Sequence, residues 1–521
     1  MSSALSSPFM AEGVAEVVPD IAKIAGRLAQ SSVITGRRRV RLVPQSGQNY
    51  NSGNSAGVVN ILIQDGQAYA DLLSATLSFN ITTFDSAQVW AGTGAPTNIV
   101  VPDDGAWSVF RRSLVSVNST LMDDTDFLAK KVNAEIYATA SQDWYNSVGS
   151  FCGLWKYNTT QYGYVDTAQG ATSTAQPLIS KYDIQAKANQ VYAVFQGTNT
   201  GGANSILPGT NKVSIPVSLL SSFFRNDTLF PSRNAGQLYL QLNLASAVEA
   251  TFSFLQANSG ASSATPNFQI GNLTLEIDYV DLHPTYLEMM DGLIESPSGE
   301  GVAWAFDSHL VATQNIGASS GQQSVVVSKA SQNLRSLHVL VQPQAGMSSG
   351  NYPAQSTFPN PGLVDIQYRI GSLYYPAFTA VGENRAFMDL QNAFGSPESV
   401  DKCGLVDAWN YYLGTPTNGT SPLATSNYPR INNGGTWTNP GTALYNASRF
   451  ADMFMYAYCF DRLKHAKYHG IDLDGVNTLT SAGSQMVVQL NGNPLEASVL
   501  TAIVRFTRIL KLGGGATSVI G

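Results

Sequence analysis

Two pairs of side chains in this sequence stand at spacings that metal ions use. His465 and His469 are four positions apart, which on a helix places both imidazoles on one face. No glutamate lies between them, so the H-E-x-x-H motif of zinc proteases is missing. Asp472 and Asp474, followed by Gly475, resemble the start of a calcium loop that lacks its closing glutamate. We therefore predict turn-forming aspartates, no metal site and no bound cofactor.

The remaining reactive residues lack the neighbours that catalysis requires. The densest acidic patch consists of Asp123, Asp124 and Asp126, and we interpret these residues as turn-forming aspartates too. Neither a G-x-S-x-G nucleophile elbow nor a glycine-rich phosphate loop stands between a predicted strand and a helix. The sequence therefore favours a protein that is not an enzyme. A glycoside hydrolase with two carboxylates from distant positions stays open as an alternative.

The three cysteines are far apart and form no C-x-x-C pair. They are Cys152, Cys403 and Cys459. So sparse a set predicts small buried thiols, not a disulfide framework or a zinc site.

The densest positive cluster consists of Arg37, Arg38, Arg39 and Arg41. It follows the segment Met10–Gln30, whose apolar residues recur at helical spacing and predict a short amphipathic helix. We interpret this region as a basic N-terminal arm that lies against something anionic, either nucleic acid or a lipid surface. A solvated or partner-packed tail is the open alternative.

The composition favours extensive contact with other copies of the chain. Of 521 residues, 12% are charged, far below the usual share of roughly 25%, and 44% are hydrophobic. A surface with so few charges suits broad polar and aromatic interfaces. The formal net charge of −7 gives no global basic character for wrapping nucleic acid. The sequence shows no signal peptide and no apolar run of membrane-spanning length, so we expect synthesis in the cytosol.

Strict alternation of apolar and polar residues recurs through most of the chain. Gln237–Leu244 reads Q-L-Y-L-Q-L-N-L, and a period of two places successive side chains on opposite faces of a strand. Turns rich in Gly, Pro, Asn and Ser separate such segments, which is typical of a sandwich or barrel. The strands predicted in the first half are Val58–Ile63, Asp71–Thr82, Trp107–Val117, Ala134–Ala140, Gln190–Gln196, Lys212–Val217, Gln237–Leu244, Ala250–Leu255 and Asn272–Leu282.

The alternation stops between Pro284 and Gly301, where Tyr286–Ile294 predicts a brief helix at a domain boundary. Arg385–Phe394 and Ser448–Tyr456 predict two further helices, and the glycines at 513–515 predict a flexible tail. We predict an arm at 1–40, a first sandwich at 41–284, a linker at 285–301 and a second sandwich at 302–521. The strands predicted after the linker are Ala303–Thr313, Ser324–Ser328, Ser336–Gln342, Gly362–Gly371, Gln485–Leu490 and Ala502–Leu512.

Several segments resemble the double jelly-roll major capsid proteins of DNA viruses. Gln237–Leu244 resembles a closing strand of their first roll, and Tyr279–Met290 lies where that family joins its two rolls. The likeness covers roughly residues 41–515 and is nearest to virophages and polinton-like viruses, with large nucleocytoplasmic DNA viruses and the adenovirus lineage as more distant relatives. The other similar segments are Ser214–Phe224, Leu229–Pro231, Asn333–Gln342, Val364–Pro376 and Val499–Leu512.

The resemblance implies an all-β fold of two tandem eight-stranded antiparallel jelly rolls with short helices in loops. The N-terminal amphipathic helical arm matches no motif of that family and is predicted from charge and periodicity alone. It also implies a structural function, in which homotrimers form pseudo-hexagonal capsomers that tile an icosahedral shell. The expected location is the virion capsid, and the expected partners are neighbouring capsomers and minor capsid and vertex proteins. On this hypothesis the basic arm faces the interior, toward genome or internal lipid. A carbohydrate-binding or adhesin-like double β-sandwich protein and a minor vertex capsid protein are the open alternatives.

Overall fold

The computed structural model describes most of both predicted sandwiches. The described residues are 33–52, 57–85, 98–154, 210–226, 228–255, 266–295, 302–318, 322–328, 331, 333–344, 354–358, 363–381, 383–394, 405, 453–460, 476–478, 486–492, 497–513 and 516–520.

Twenty strands lie in the described part of the chain, eleven of them before the linker. The first eleven are β1 (Ile34–Leu42), β2 (Tyr50–Asn51), β3 (Val58–Ile63), β4 (Tyr69–Asp85), β5 (Asn98–Pro102), β6 (Phe110–Val117), β7 (Thr120–Thr125), β8 (Thr210–Pro216), β9 (Leu238–Leu244), β10 (Thr251–Leu255) and β11 (Pro266–Leu282). The remaining nine are β12 (Val302–Ile316), β13 (Gln323–Val327), β14 (Leu334–Pro343), β15 (Leu363–Ile370), β16 (Leu373–Val381), β17 (Tyr456–Cys459), β18 (Met486–Gly492), β19 (Ser498–Gly513) and β20 (Ala516–Ile520).

Short helices occupy the connections. They are α1 (Leu128–Thr139), α2 (Gln142–Asn146), α3 (Val148–Phe151), α4 (Val217–Leu220), α5 (Ser232–Ala235), α6 (Ala247–Ala250), α7 (Pro284–Glu295) and α8 (Glu383–Phe394), with two 3₁₀ turns at Ala106–Val109 and Ser222–Arg225. Helix α7 lies between the two sets of strands, where the sequence predicted a helix, and α8 agrees with the helix predicted at Arg385–Phe394.

Both sets of strands wrap in the same way. In the first roll, the β1 sheet has the order β1-β11-β4-β8 and the β3 sheet has the order β3-β9-β6-β7. In the second roll, the β12 sheet has the order β12-β19-β14-β17 and the β13 sheet has the order β13-β18-β15-β16. Strands β2, β5, β10 and β20 lie outside these four sheet orders, which leaves eight strands in each roll. When these eight are numbered in chain order, both rolls give sheets 1-8-3-6 and 2-7-4-5. This is the jelly-roll arrangement, so the predicted fold class of two tandem eight-stranded jelly rolls is confirmed.

Alternating side chains fill the interior of each roll. Along β9, every second residue from Leu238 to Leu244 is buried, as the sequence pattern predicts. The same holds for β3, where Val59, Ile61 and Ile63 are fully buried. Buried residues of both rolls belong to one continuous apolar cluster, so the two sandwiches share a core.

Several local predictions differ from the structure. Trp107, predicted to begin a strand, lies in the 3₁₀ turn Ala106–Val109. Of the predicted strand Ala134–Ala140, all residues but Ala140 lie in helix α1. Tyr456, predicted to end a helix, begins strand β17, because pairing with β14 overrides the local helical pattern. Asp123 and Asp124 lie on strand β7, not in turns. The predicted tail beyond Gly513 forms strand β20, which pairs back onto β19 from Gly513 opposite Ala516.

Candidate functional site at the junction of the two rolls

Helix α1 of the first roll is almost entirely buried and contacts the second roll. Ten of its twelve residues are buried. Leu128, Val132 and Ile136 recur every four positions among the strong helix formers Ala, Lys and Glu, and this pattern favours a helix. The shorter segment Ala134–Ala140 also alternates in polarity, and this alternation predicts a strand. That prediction is wrong.

Two adjacent lysines of α1 are fully buried. Lys130 Nζ donates to Gln342 Oε1 at 2.9 Å and to Thr501 Oγ1 at 3.4 Å, and both acceptors belong to the β12 sheet. Lys131 Nζ lies 3.1 Å from Glu135 Oε2 one turn along the helix. Burial lowers the pKa of Lys130 to about 7 and also lowers the pKa of Lys131.

Glu135 is held as an anion by two cations. Burial opposes its ionisation, but the guanidinium of Arg225 and the ammonium of Lys131 hold the pKa of Glu135 well below its usual range. Arg225 also donates from Nε to the Ser218 carbonyl at 2.7 Å, so its position is fixed from both sides. Removing one member of such a buried set leaves an uncompensated charge.

Strand β7 contacts strand β12 through a buried carboxylate. Asp123 accepts hydrogen bonds from Ser308 Oγ at 2.7 Å and from Ser221 Oγ at 2.5 Å. Burial raises the pKa of Asp123, and the two hydroxyl donors oppose that shift. Next to it, Arg508 of β19 donates to the Met122 carbonyl. These contacts join the edge of the β3 sheet to the second roll.

The β12 sheet carries its own ion pairs and two buried histidines. Burial raises the pKa of Asp307, but Arg505 and Arg335 more than offset this effect and lower it to about 2. His309 Nδ1 lies 3.3 Å from Ser222 Oγ of the first roll. The His338 ring stacks on Phe394 of α8 at 4.1 Å. Burial lowers the pKa of His338 to about 3 and that of His309 well below its usual range.

A second polar contact joins the loop after β5 to residues 354–358 of the second roll. Asp103 accepts hydrogen bonds from the Gln355 amide at 2.7 Å and from Ser356 Oγ at 2.5 Å. The Tyr137 hydroxyl of α1 lies 3.0 Å from both Asp104 Oδ2 and the Ser356 carbonyl, and the Tyr145 hydroxyl donates to Asp104 Oδ1 at 2.9 Å.

Aromatic rings fill the apolar part of the junction. Phe223 of the first roll lies edge-on to Phe306 of β12, with ring centroids 5.0 Å apart. Phe230 of the first roll lies 5.4 Å from Trp304 in a second edge-to-face pair. Aromatic pairs of this geometry stabilise a contact beyond their buried area.

The arrangement is suited to holding two domains together. Each ionised group described above is balanced by an opposite charge or by hydrogen-bond partners inside the protein. Within the described ranges, no group of three or more His, Cys, Asp and Glu side chains could hold a metal ion. The same ranges contain no helix long and apolar enough to cross a membrane.

The four arginines of the basic cluster lie on strand β1, not on a separate arm. Strand β1 pairs along β11 and so continues across position 40, where we predicted the arm to end. Arg37 and Arg39 both bind Asp278, at 2.6 and 2.7 Å. Arg41 lies 2.7 Å from Glu276.

The Arg38 side chain points to the opposite face of β1, where it pairs with Asp65. Its guanidinium carbon lies 5.8 Å from the centroid of the Tyr279 ring. Every arginine of the cluster thus has a carboxylate partner. The orientation of this strand toward a particle interior stays a prediction.

Two of the three cysteines lie in the described part of the chain. Cys152 is buried, as predicted, and burial raises the pKa of its thiol to about 12. Cys459 is half-buried. The residues that lie outside the described part of the chain are Cys403, His465, His469, Asp472, Asp474, the predicted helix at Met10–Gln30 and the predicted strand at Gln190–Gln196.

Of the junction residues, only Asp123 was singled out by sequence reasoning. One further signal was present: Leu128–Ala138 is apolar around most of its circumference, which is typical of a helix buried on several sides. Two lysines inside such a segment then predict buried ion pairs or hydrogen bonds.

No protein-family model and no curated protein sequence matches the chain. Among solved structures, it is similar to a chain in the 3.5 Å resolution structure of the Sputnik virophage by cryo-EM, with 12% identity, coverage of 94% of this chain and 89% of that chain, and a TM-score of 0.54. It is also similar to a chain in the quasi-atomic model of the PBCV-1 virus capsid, with 9% identity, coverage of 94% and 98%, and a TM-score of 0.51. At these identities the likeness establishes the fold alone, and the aligned region covers 94% of the chain.

Proposed function

We propose that this protein is the major capsid protein of an icosahedral DNA virus and that it assembles as homotrimeric, pseudo-hexagonal capsomers in the virion capsid. The observation that carries the proposal is the repeated strand order of the two rolls together with the buried junction that fixes one roll on the other. The likeness to chains from a virophage and from a virus capsid supports it, since the shared fold includes both rolls.

The physical role that we propose is that of a rigid tile. Two similar rolls held at a fixed angle present two similar outer surfaces, so three copies supply six similar units around a ring. Large obligate interfaces bury on the order of 2,000–5,000 Å², which makes an assembled trimer the stable unit. Neighbouring capsomers and minor capsid and vertex proteins are the further partners in this proposal.

The ion pairs of β1 change the role that we propose for the basic cluster. A polyanion is attracted by uncompensated positive charge, whereas Arg37, Arg39 and Arg41 are balanced by Asp278 and Glu276. We propose that these arginines hold β1 on its sheet instead of contacting genome or internal lipid. Replacing the four arginines of the cluster with serine should then lower the melting temperature of the purified protein. An unchanged melting temperature combined with reduced genome content of particles would restore the nucleic-acid role.

The aromatic side chains of the junction cannot serve the carbohydrate-binding alternative. Trp107, Tyr137 and Tyr145 are fully buried, and their polar atoms bond to other protein groups. Sugar-binding platforms require exposed ring faces, so these residues are unavailable for that role.

The test of the proposed function is the solution mass of the purified full chain, followed by negative-stain electron microscopy. We expect sedimentation as a trimer at dilute concentration and hexagon-like plates or shells on the grid. A monomer at all concentrations would overturn the proposal and favour the adhesin-like alternative. Sugar release from polysaccharides that is lost on one Asp or Glu substitution would favour the hydrolase, and a low copy number per particle would favour a vertex protein.

A further inference from the structure

The two rolls repeat more than their strand order. In each roll, the fifth strand lies at one edge of the 2-7-4-5 sheet and is followed within three residues by a twelve-residue helix. In the first roll these elements are β7 and α1, and in the second roll they are β16 and α8. Because β16 and α8 occupy the same places in the second roll as β7 and α1 in the first, we expect the two pairs of elements to present comparable surfaces.

Inside one chain, β7 and α1 cover the β12 sheet of the second roll. Asp123 of β7 bonds to Ser308, and Lys130 of α1 bonds to Gln342 and Thr501. Met122 and Asp123 of β7 are completely or almost completely buried, whereas Leu121 on the same strand is 42% exposed.

The equivalent sheet of the first roll is the β1 sheet. Its outer face, which carries Arg39 and Arg41, is exposed in the single chain. The Arg39 and Arg41 side chains are 67% exposed. A cavity of about 450 Å³ lies on this face, lined by residues that include Arg41, Ser78, Lys212 and Glu276. Both faces carry a carboxylate between two arginines, although this carboxylate lies on the eighth strand of the first roll and on the first strand of the second roll.

In the β1 sheet that carboxylate is Asp278, between Arg37 and Arg39. In the β12 sheet it is Asp307, between Arg505 and Arg335. The covered and the open sheet therefore resemble each other in order and in charge, and they differ in whether another roll lies on them.

The equivalent strand of the second roll is exposed, and the equivalent helix is exposed in part. On β16, Leu373 is 61% exposed and Phe378 is 69% exposed, in contrast to Met122 and Asp123 of β7. On α8, Met388 is 45% exposed, whereas Phe394 stacks on His338 of its own roll and Leu390 is buried. Exposed apolar side chains at a sheet edge are costly to leave in water and are commonly covered by a partner.

We propose that β16 and α8 of one copy cover the β1 sheet of a second copy, in the way that β7 and α1 cover the β12 sheet within one chain. This inference rests on the proposed function, because it names the surface through which copies meet. Exposed Ile34 and Val43 at the two ends of β1 provide apolar contacts for Phe378 and Leu373, and the stems of Arg39 and Arg41 can pack on an aromatic ring. Each chain offers one covering element and one open sheet, so the contact is heterologous and closes when six rolls complete a ring.

The first test is Phe378→Asp in the full chain, with Val326→Asp as the matched control. Val326 is an exposed apolar residue on β13, at the opposite edge of the same sheet. We expect Phe378→Asp to sediment as a folded monomer at concentrations where the wild type is a trimer, and Val326→Asp to remain a trimer. A trimeric Phe378→Asp protein would overturn the proposed contact.

The second test does not depend on a disruptive substitution. A photo-crosslinking phenylalanine analogue at position 378 should give cross-links between chains to residues of β1, β11 or β4, mapped by mass spectrometry. A wild-type trimer whose cross-links lie elsewhere would overturn this contact and leave the capsid proposal intact. A wild-type monomer would overturn both.

Discussion

The aromatic cluster at the junction allows a quantitative test of how strongly the two rolls are coupled. Phe223 is fully buried, and its ring lies 5.0 Å from that of Phe306 and 5.8 Å from that of Phe230. Truncating a buried phenylalanine to alanine costs about 3–5 kcal/mol, because apolar area is lost and a cavity remains. We therefore expect Phe223→Ala to lower the free energy of unfolding by about 4 kcal/mol.

The part of this cost that belongs to the contact between rolls can be isolated by a double-mutant cycle. Phe306→Ala alone should also cost about 4 kcal/mol, since this ring is almost completely buried. Because the two rings meet edge to face, the double variant should lose less than the sum of the single losses, by about 1 kcal/mol.

The measurement is equilibrium unfolding in urea at one fixed protein concentration, followed by circular dichroism and tryptophan fluorescence. Phe151→Ala is the control, because its side chain is 74% exposed and its loss should change stability by about 0.5 kcal/mol or less. Single losses below about 1 kcal/mol, or losses that add within 0.3 kcal/mol, would refute the coupling of the rolls through these rings.

Three further predictions concern titration, the sheet core and a loop. The pKa of His338 is lowered to about 3 in the folded protein, so as the pH falls below about 6.5 the histidine is protonated in the unfolded chain but not in the folded one. Each further pH unit should therefore lower the free energy of unfolding by about 1.4 kcal/mol. Thermal melts from pH 7 to 4 should be less pH-dependent for His338→Gln. Leu240→Asp should abolish soluble protein because it buries an unpaired charge, whereas Gln241→Asp on the opposite face should remain soluble in an expression assay. Gly105→Ala should lower the unfolding free energy by about 2 kcal/mol or more, since φ is +121° and the added Cβ would lie 2.4 Å from the Trp107 ring; a melting temperature equal to that of the wild type would contradict this geometry.

The repeating part of the fold could be predicted because it is encoded locally. A residue at every second position of β9 or β3 is apolar, and no distant information is needed to assign such a segment to a half-buried strand. The junction could not be predicted in this way. Lys130 appears in the sequence as an ordinary charged residue, and its acceptors Gln342 and Thr501 lie more than 200 positions away along the chain.

The sequence by itself determined the alternating strands, the interdomain helix α7 and the resemblance to double jelly rolls, since each depends on residues close together in the chain. Only the tertiary structure decided that Ala134–Thr139 belongs to a helix and that Arg37 and Arg39 bind Asp278, some 240 positions away. The physical reason is that local periodicity fixes which face of an element is apolar, whereas the partner of a face or of a charge is selected by packing between distant segments.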